Sequence, residues 1–124
     1  METPEQLVSA AASDLYAARD LLETGDALWA CSAAAEAGRK ALEGLVAYLG
    51  HEVGEGDLAA LAGVVAAELD ATSPKLREAA TTLDRYADIA ERETTQPPGG
   101  AEAEAALSAA RQMLELARGI IGLD

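Results

Sequence analysis

A chain of 124 residues forms one domain, here residues 1–124, and buries roughly two-thirds of its unfolded surface, so it needs no metal or disulfide staple. Half of the residues are apolar, but Phe is absent and the bulk comes from Ala and Leu, strong helix formers, which excludes a β-rich fold. With 22 acidic residues against nine basic ones, the net charge of -13 repels a phosphate backbone and excludes indiscriminate nucleic-acid binding over the whole surface.

In chain order, the first helix is predicted from Pro4 to Thr24. Thr3 is a good N-cap, Pro4 suits the first helical position and Gln6 completes a capping box. Val8, Ala11, Leu15, Ala18 and Leu22 recur at three-and-four spacing as one apolar stripe. Gly25 ends the helix and Asp26 caps the next one almost at once, which forces the two helices to lie antiparallel. The second helix fills Gly25–Gly50, with Leu28, Cys31, Ala35, Gly38, Leu42, Leu45 and Leu49 as its seam. Gly38 costs about 1 kcal/mol relative to alanine in a helix interior. Its place on the seam predicts close approach of a neighbouring backbone at the middle of this hairpin.

A glycine-rich loop, His51 to Gly56, precedes a short helix after Asp57 that carries Leu58, Leu61, Val65 and Leu69. Ser73-Pro74, cap then proline, starts a fourth helix. Its stripe of Leu76, Ala79, Leu83, Tyr86 and Ala90 fades near Glu93. Thr94 to Gly100 breaks helicity. The last helix, from about Ala101, turns Leu107, Ala110, Leu114, Ala117 and Ile121 inward. The predicted fold is all-α: an antiparallel up-and-down four-helix bundle with one additional short helix.

Cys31 is the only cysteine; it has no internal disulfide partner and reads as a small core residue. The stretch METPEQ has no signal-peptide pattern, and the longest apolar run, Leu58 to Ala67, is too short to span a bilayer. A cytoplasmic protein without a membrane partner is expected. Trp29, Val46 and Tyr48 are candidates for an apolar strip left outside the bundle.

Gly25-Asp26, Trp29-Ala30-Cys31, Ala33-Ala34, Ala37, Ala41-Leu42 and Gly44-Leu45 resemble the second helix of the HEPN family of helical bundles. That helix has a Gly-Asp-aromatic start, an alanine-rich middle and an Ala-Leu-Lys-Gly-Leu-like end. The order of the later elements is similar too, including Leu83, Asp84 and Tyr86 in a Leu-Asp-x-Tyr pattern. The resemblance covers nearly the whole chain. Its departures lie on polar positions. Where relatives carry glutamine, glutamate and lysine, this chain has Glu36, Arg39 and Glu43. A His-Asp-Leu or His-Ser-Leu start to the short helix is replaced by Gly56-Asp57-Leu58, and Thr-Arg-Tyr-Pro-Asp by Ala90-Glu91-Arg92-Glu93-Thr94.

Ribonuclease members of the family use an arginine followed four to six residues later by a histidine. Cleavage by a 2′-hydroxyl needs a proton acceptor and donor near neutral pH, which histidine supplies. Arginine offsets the charge that develops on the phosphorus oxygens. The single histidine here is His51; positions 44 to 47 hold no arginine, and prolines and glycines fill the window after Arg92. No catalytic residue is therefore assigned.

Three other groupings bear on chemistry. The His51, Glu52, Glu55 and Asp57 loop makes a poor metal cage, so no metal and no cofactor is expected. Arg85 and Arg92, seven apart with Asp88 between them, read as an ion-paired helix face or as an anion contact beside Tyr86, to which Arg39 and Lys40 add if helices 2 and 4 are neighbours. Arg111 and Arg118 read as surface partners of Glu115.

The resemblance implies a non-catalytic binding or partner module. The ligand or anion contacts would be Arg85, Tyr86, Arg92 and Arg39. Such a module forms a homodimer, pairs with a minimal nucleotidyltransferase, as in toxin–antitoxin systems, and takes a nucleotide or RNA as ligand. The alternatives are a degenerate, metal-independent ribonuclease and a purely structural assembly module.

Overall fold

Thr3 begins the first helix as its sequence dictates. In the computed structural model, which describes residues 2–54, 56–69, 73–92 and 95–122, its hydroxyl accepts from the Gln6 amide while the Gln6 side chain accepts from the Thr3 amide. Helix α1 then runs Pro4–Glu23. Gly25 makes the turn at φ +87°, a left-handed conformation that side chains with a Cβ resist. Asp26 accepts from the Trp29 amide and caps α2, Ala27–Tyr48. The remaining elements are α3 (Leu58–Glu68), α4 (Ser73–Asp84), a short 3-10 turn (Ile89–Glu91) and α5 (Gly100–Ile121).

Residue pairs fix the directions. Gly44 lies against Pro4 and Val8, Lys40 beside Asp14, and the Asp26 amide donates to the Leu21 carbonyl. Helix α2 therefore runs back along α1. Both Met113 of α5 and Leu83 of α4 face Gly38. Helix α3 lies alongside α2, with Leu58 near Gly38 at one end and Glu68 beside His51 at the other.

Helix α2 is the centre. It packs against α1, α3, α4, α5 and the 3-10 turn, and its buried surface is wider than one seam. Cys31, Ala35, Gly38, Leu42 and Leu45 form the expected stripe, while Ala30, Ala34, Ala37, Ala41 and Gly44 form a second. Leu28 and Leu49, at the helix ends, are only half-buried. A helix buried on two faces needs small side chains on at least one of them, which is why alanine dominates here.

The glycines divide the work differently from the sequence expectation. The backbone that approaches closely is the first turn of α1, and it approaches Gly44: a Cβ there would stand 3.2 Å from the Pro4 carbonyl oxygen and 3.2 Å from Val8 Cγ2. Gly38 faces side chains instead. A Cβ on it would collide with Leu83 Cδ1 and stand 3.1 Å from Met113 Sδ. Gly38 thus makes room for the leucine of α4.

Helix α4 also differs. It ends at Asp84, followed by a turn over Arg85–Asp88 with Asp88 at φ 56°. Aspartate tolerates this left-handed conformation better than most residues. Ile89 then folds back into the core beside half-buried Tyr86. The predicted stripe through Tyr86 and Ala90 is therefore broken, and α4, with 12 residues, is nearly as short as α3, with 11. Glu93 and Thr94, where the stripe was expected to fade, lie outside the described residues, as does the Ser73 side chain proposed as a cap; α4 begins at Ser73 itself. No helix among the described residues is long and apolar enough to cross a membrane.

Candidate functional site

The turn after α4 carries three of the four residues singled out from sequence. Arg85 and Arg92 are exposed and Tyr86 is half-buried. Because the helix has ended, the seven-residue spacing no longer defines one helical face. Arg92 folds back so that its Nη2 donates to the Arg85 carbonyl at 3.0 Å. Among the described residues neither arginine forms an ion pair with Asp88. Burial raises the Tyr86 hydroxyl pKa above its ordinary value; the nearby Cys31 and Glu102 add to this, and Arg85 opposes it. Tyr86 packs against the core.

Arg39 stands apart from those three. Its Nη2 donates to the Gly56 carbonyl, and its Nη1 lies 3.8 Å from Glu43. Burial raises the Glu43 pKa, with Arg39 partly offsetting it. Arg39 lines a groove of about 340 Å³ between α2 and the Ala87–Glu91 segment, shared with Trp29, Glu36, Asp88 and Glu91. Three carboxylates surround one guanidinium there, so the groove itself favours no anion. Glu36 lies one turn before Arg39 on α2, whereas Asp88 and Glu91 were not selected from sequence as its neighbours and reach this groove through the turn at Asp88.

The family-like Leu-Asp-x-Tyr residues have structural tasks. Leu83 fills the space above Gly38. The Asp84 carboxylate accepts from the amides of Leu58 and Ala59 at 2.8 and 3.0 Å, and Asp57 accepts from Ala60 at 2.9 Å. The first turn of α3 thus has two carboxylates on amides that would otherwise lack partners, with favourable alignment to the helix dipole.

His51 is at the opposite end of α3. Its Nε2 lies 2.9 Å from Glu68 Oε1, both side chains half-exposed. Asp84, next to the Arg85–Arg92 turn, binds the first residue of α3, whereas Glu68 is its last. At 1.5 Å per residue the two ends are about 15 Å apart. The histidine and Arg92 are therefore not brought together within the chain. The rest of the His51 loop is not gathered around a metal either: Asp57 caps α3, Glu55 lies outside the described residues, and no three candidate ligands converge among those described.

The proposed apolar strip is corrected. Val46 is fully buried, whereas Trp29 and Tyr48 are about half-exposed. They sit at opposite ends of α2, about 28 Å apart at the helical rise, and do not make one patch. The expected pairing of Glu115 with Arg111 and Arg118 is likewise not formed among the described residues.

Comparison with known proteins agrees with this architecture. The HEPN domain family model matches residues 4–120. TT1696 from Thermus thermophilus superposes with a TM-score of 0.82 at 28% identity, covering 96% of this chain and 98% of that one. A HEPN domain protein from Thermotoga maritima gives 0.78 at 22% identity, with 94% and 97% covered. An archaeal HEPN homologue, ST0689, gives 0.78 at 22%, with 98% and 99% covered. No curated protein matches significantly. With the family model spanning nearly all of a chain that folds around its alanine-rich second helix, this protein belongs to the HEPN domain family.

Proposed function

We propose that this HEPN domain is non-catalytic and works as a binding and partner module. In this reading it acts in the cytoplasm as a homodimer and pairs with a minimal nucleotidyltransferase in a toxin–antitoxin arrangement. The observation that carries the reading is the separation of His51 from Arg92 by the length of α3. General acid–base catalysis requires its proton-transfer group within hydrogen-bond reach of the reacting atoms. His51 instead faces Glu68, and Arg92 is turned onto a backbone carbonyl.

The contact residues in this proposal are Arg85, Tyr86, Arg92 and Arg39, with Arg85 the leading one. Its guanidinium is exposed and, among the described residues, in no ion pair, while Arg39 and Arg92 are held by carbonyls. An exposed arginine beside an aromatic ring suits an acidic or phosphate-bearing partner.

Size-exclusion chromatography of the chain with a minimal nucleotidyltransferase encoded beside it tests the proposal. A stable complex that Arg85→Glu weakens about tenfold or more is expected, that being the loss of one charge-assisted contact. Free components at all concentrations would remove the partner reading.

A further inference from the structure

Between α1 and α5, Arg19 of α1 and Arg111 and Arg118 of α5 line a groove of about 210 Å³. The sequence explains why they meet. Leu107, Arg111, Leu114 and Arg118 follow one another at four, three and four residues, so one stripe of α5 alternates leucine with arginine. Leu15 and Arg19 repeat that alternation at four-residue spacing on α1. Leu107 and Leu114 are buried and Leu15 half-buried along the α1–α5 seam, whereas Arg19 and Arg111 are exposed and Arg118 is half-buried.

The charge is unusual for this molecule. Three of its nine basic residues share this groove with one carboxylate, Glu115, in a chain of net charge -13. Neither Arg111 nor Arg118 is ion-paired among the described residues, and Arg19 reaches Glu23 only at 4.0 Å. Acidic side chains are plentiful elsewhere in the chain, and among the described residues none of them pairs with Arg111 or Arg118. Clustered like charges repel one another, and an anion between them removes that cost. Tyr16, 68% exposed, stands at the edge of the groove and offers a flat apolar face next to the seam leucines.

We infer that the α1–α5 groove is a binding site for a small phosphate monoester. Its phosphate is held by the guanidinium groups of Arg19, Arg111 and Arg118, and its apolar part rests on Leu15, Leu114 and Tyr16. Planar guanidinium forks suit phosphate oxygens, while the overall negative field turns away a long polyanion and admits a small one. The site shares no residue with the Arg85 turn and does not depend on the proposal made for it.

Isothermal titration with phenyl phosphate and with inorganic phosphate at low salt is the test. One saturable site per chain is expected, binding phenyl phosphate more tightly than inorganic phosphate. Arg111→Gln and Arg118→Gln, which keep an aliphatic stem, each weaken binding about tenfold, and Arg77→Ala, at an exposed position of α4, leaves it unchanged. Tyr16→Ala reduces the affinity for phenyl phosphate and spares that for inorganic phosphate. Ligand-free thermal unfolding establishes that the variants fold; should Arg118→Gln not fold, exposed Arg111 carries the test. No saturable binding, or binding that the Arg111 variant retains in full, would overturn the inference. Equal affinity for the two probes would remove its apolar half, and loss confined to Arg85→Ala would move the anion site to the α4 turn.

Discussion

The Asp84 carboxylate accepts a hydrogen bond from the Leu58 amide at 2.8 Å, joining the end of α4 to the start of α3 across 26 residues of sequence. The same carboxylate takes the Ala59 amide, so one side chain both caps α3 and fixes the α3–α4 hairpin. Asp84→Ala leaves two amides of that first turn without partners and is expected to destabilise the fold by about 2–3 kcal/mol. Asp84→Asn keeps one acceptor oxygen and should cost about half as much. Urea unfolding of both variants measures this; a loss below about 0.5 kcal/mol for alanine would mean that Asp57 alone suffices.

Gly38 and Leu83 form a pair that a mutant cycle can isolate. Alanine at position 38 gains about 1 kcal/mol of helix propensity but drives a methyl group into Leu83 Cδ1, and overpacking costs about 1–3 kcal/mol. Gly38→Ala should therefore destabilise the native chain by about 1 kcal/mol. In a Leu83→Ala background, where the obstruction is gone, the same change should stabilise by a similar amount. Equal effects in both backgrounds would show that Leu83 is not what Gly38 accommodates.

These two relationships mark where sequence reading stops. The five α-helices, the Thr3–Gln6 box, the Asp26 cap and the Gly25 turn were all legible, because each depends on residues within four positions of one another. Long-range partners were not. Periodicity placed Gly38 and Leu83 on inward stripes but could not say that they face each other, nor that Gly44 is the glycine meeting the α1 backbone. The end of α4 was missed for a related reason: Leu83, Tyr86 and Ala90 keep a helical rhythm, yet Asp84 is engaged by α3 and Asp88 turns left-handed. Misplacing that end put Arg85 and Arg92 on one helix face, which the turn after Asp84 breaks.

Cys31 is buried, and its thiol is pushed up to about 11, first by removal from water and then by the charge of Glu102. At about pH 8 the thiolate fraction is then on the order of a thousandth. Labelling by a disulfide reagent should be slow in native protein and immediate in concentrated guanidinium chloride. Full labelling of the native protein within seconds would contradict the burial of this residue.

Lys40 lies 2.7 Å from Asp14 and ties α2 to α1. Its hydrogen bond to Asp14 raises the ammonium pKa above 10.5, against an opposing effect of burial. Because the folded value exceeds the unfolded one, the pair's contribution is complete below pH 10.5 and fades as pH rises through the folded value. Lys40→Met should cost about 1 kcal/mol at neutral pH, and the difference from wild type should shrink in strongly alkaline solution. Chemical denaturation across that range decides it; a difference that grows with pH would reverse the assignment.

The central claim is that this HEPN domain holds its family's fold without assembling a histidine–arginine catalytic pair. Incubating purified protein with single-stranded RNA, and following the products under multiple-turnover conditions, tests it most directly. The account predicts no cleavage above the protein-free control for wild type and for Arg92→Ala alike. Turnover by wild type that Arg92→Ala or His51→Ala abolishes would contradict it.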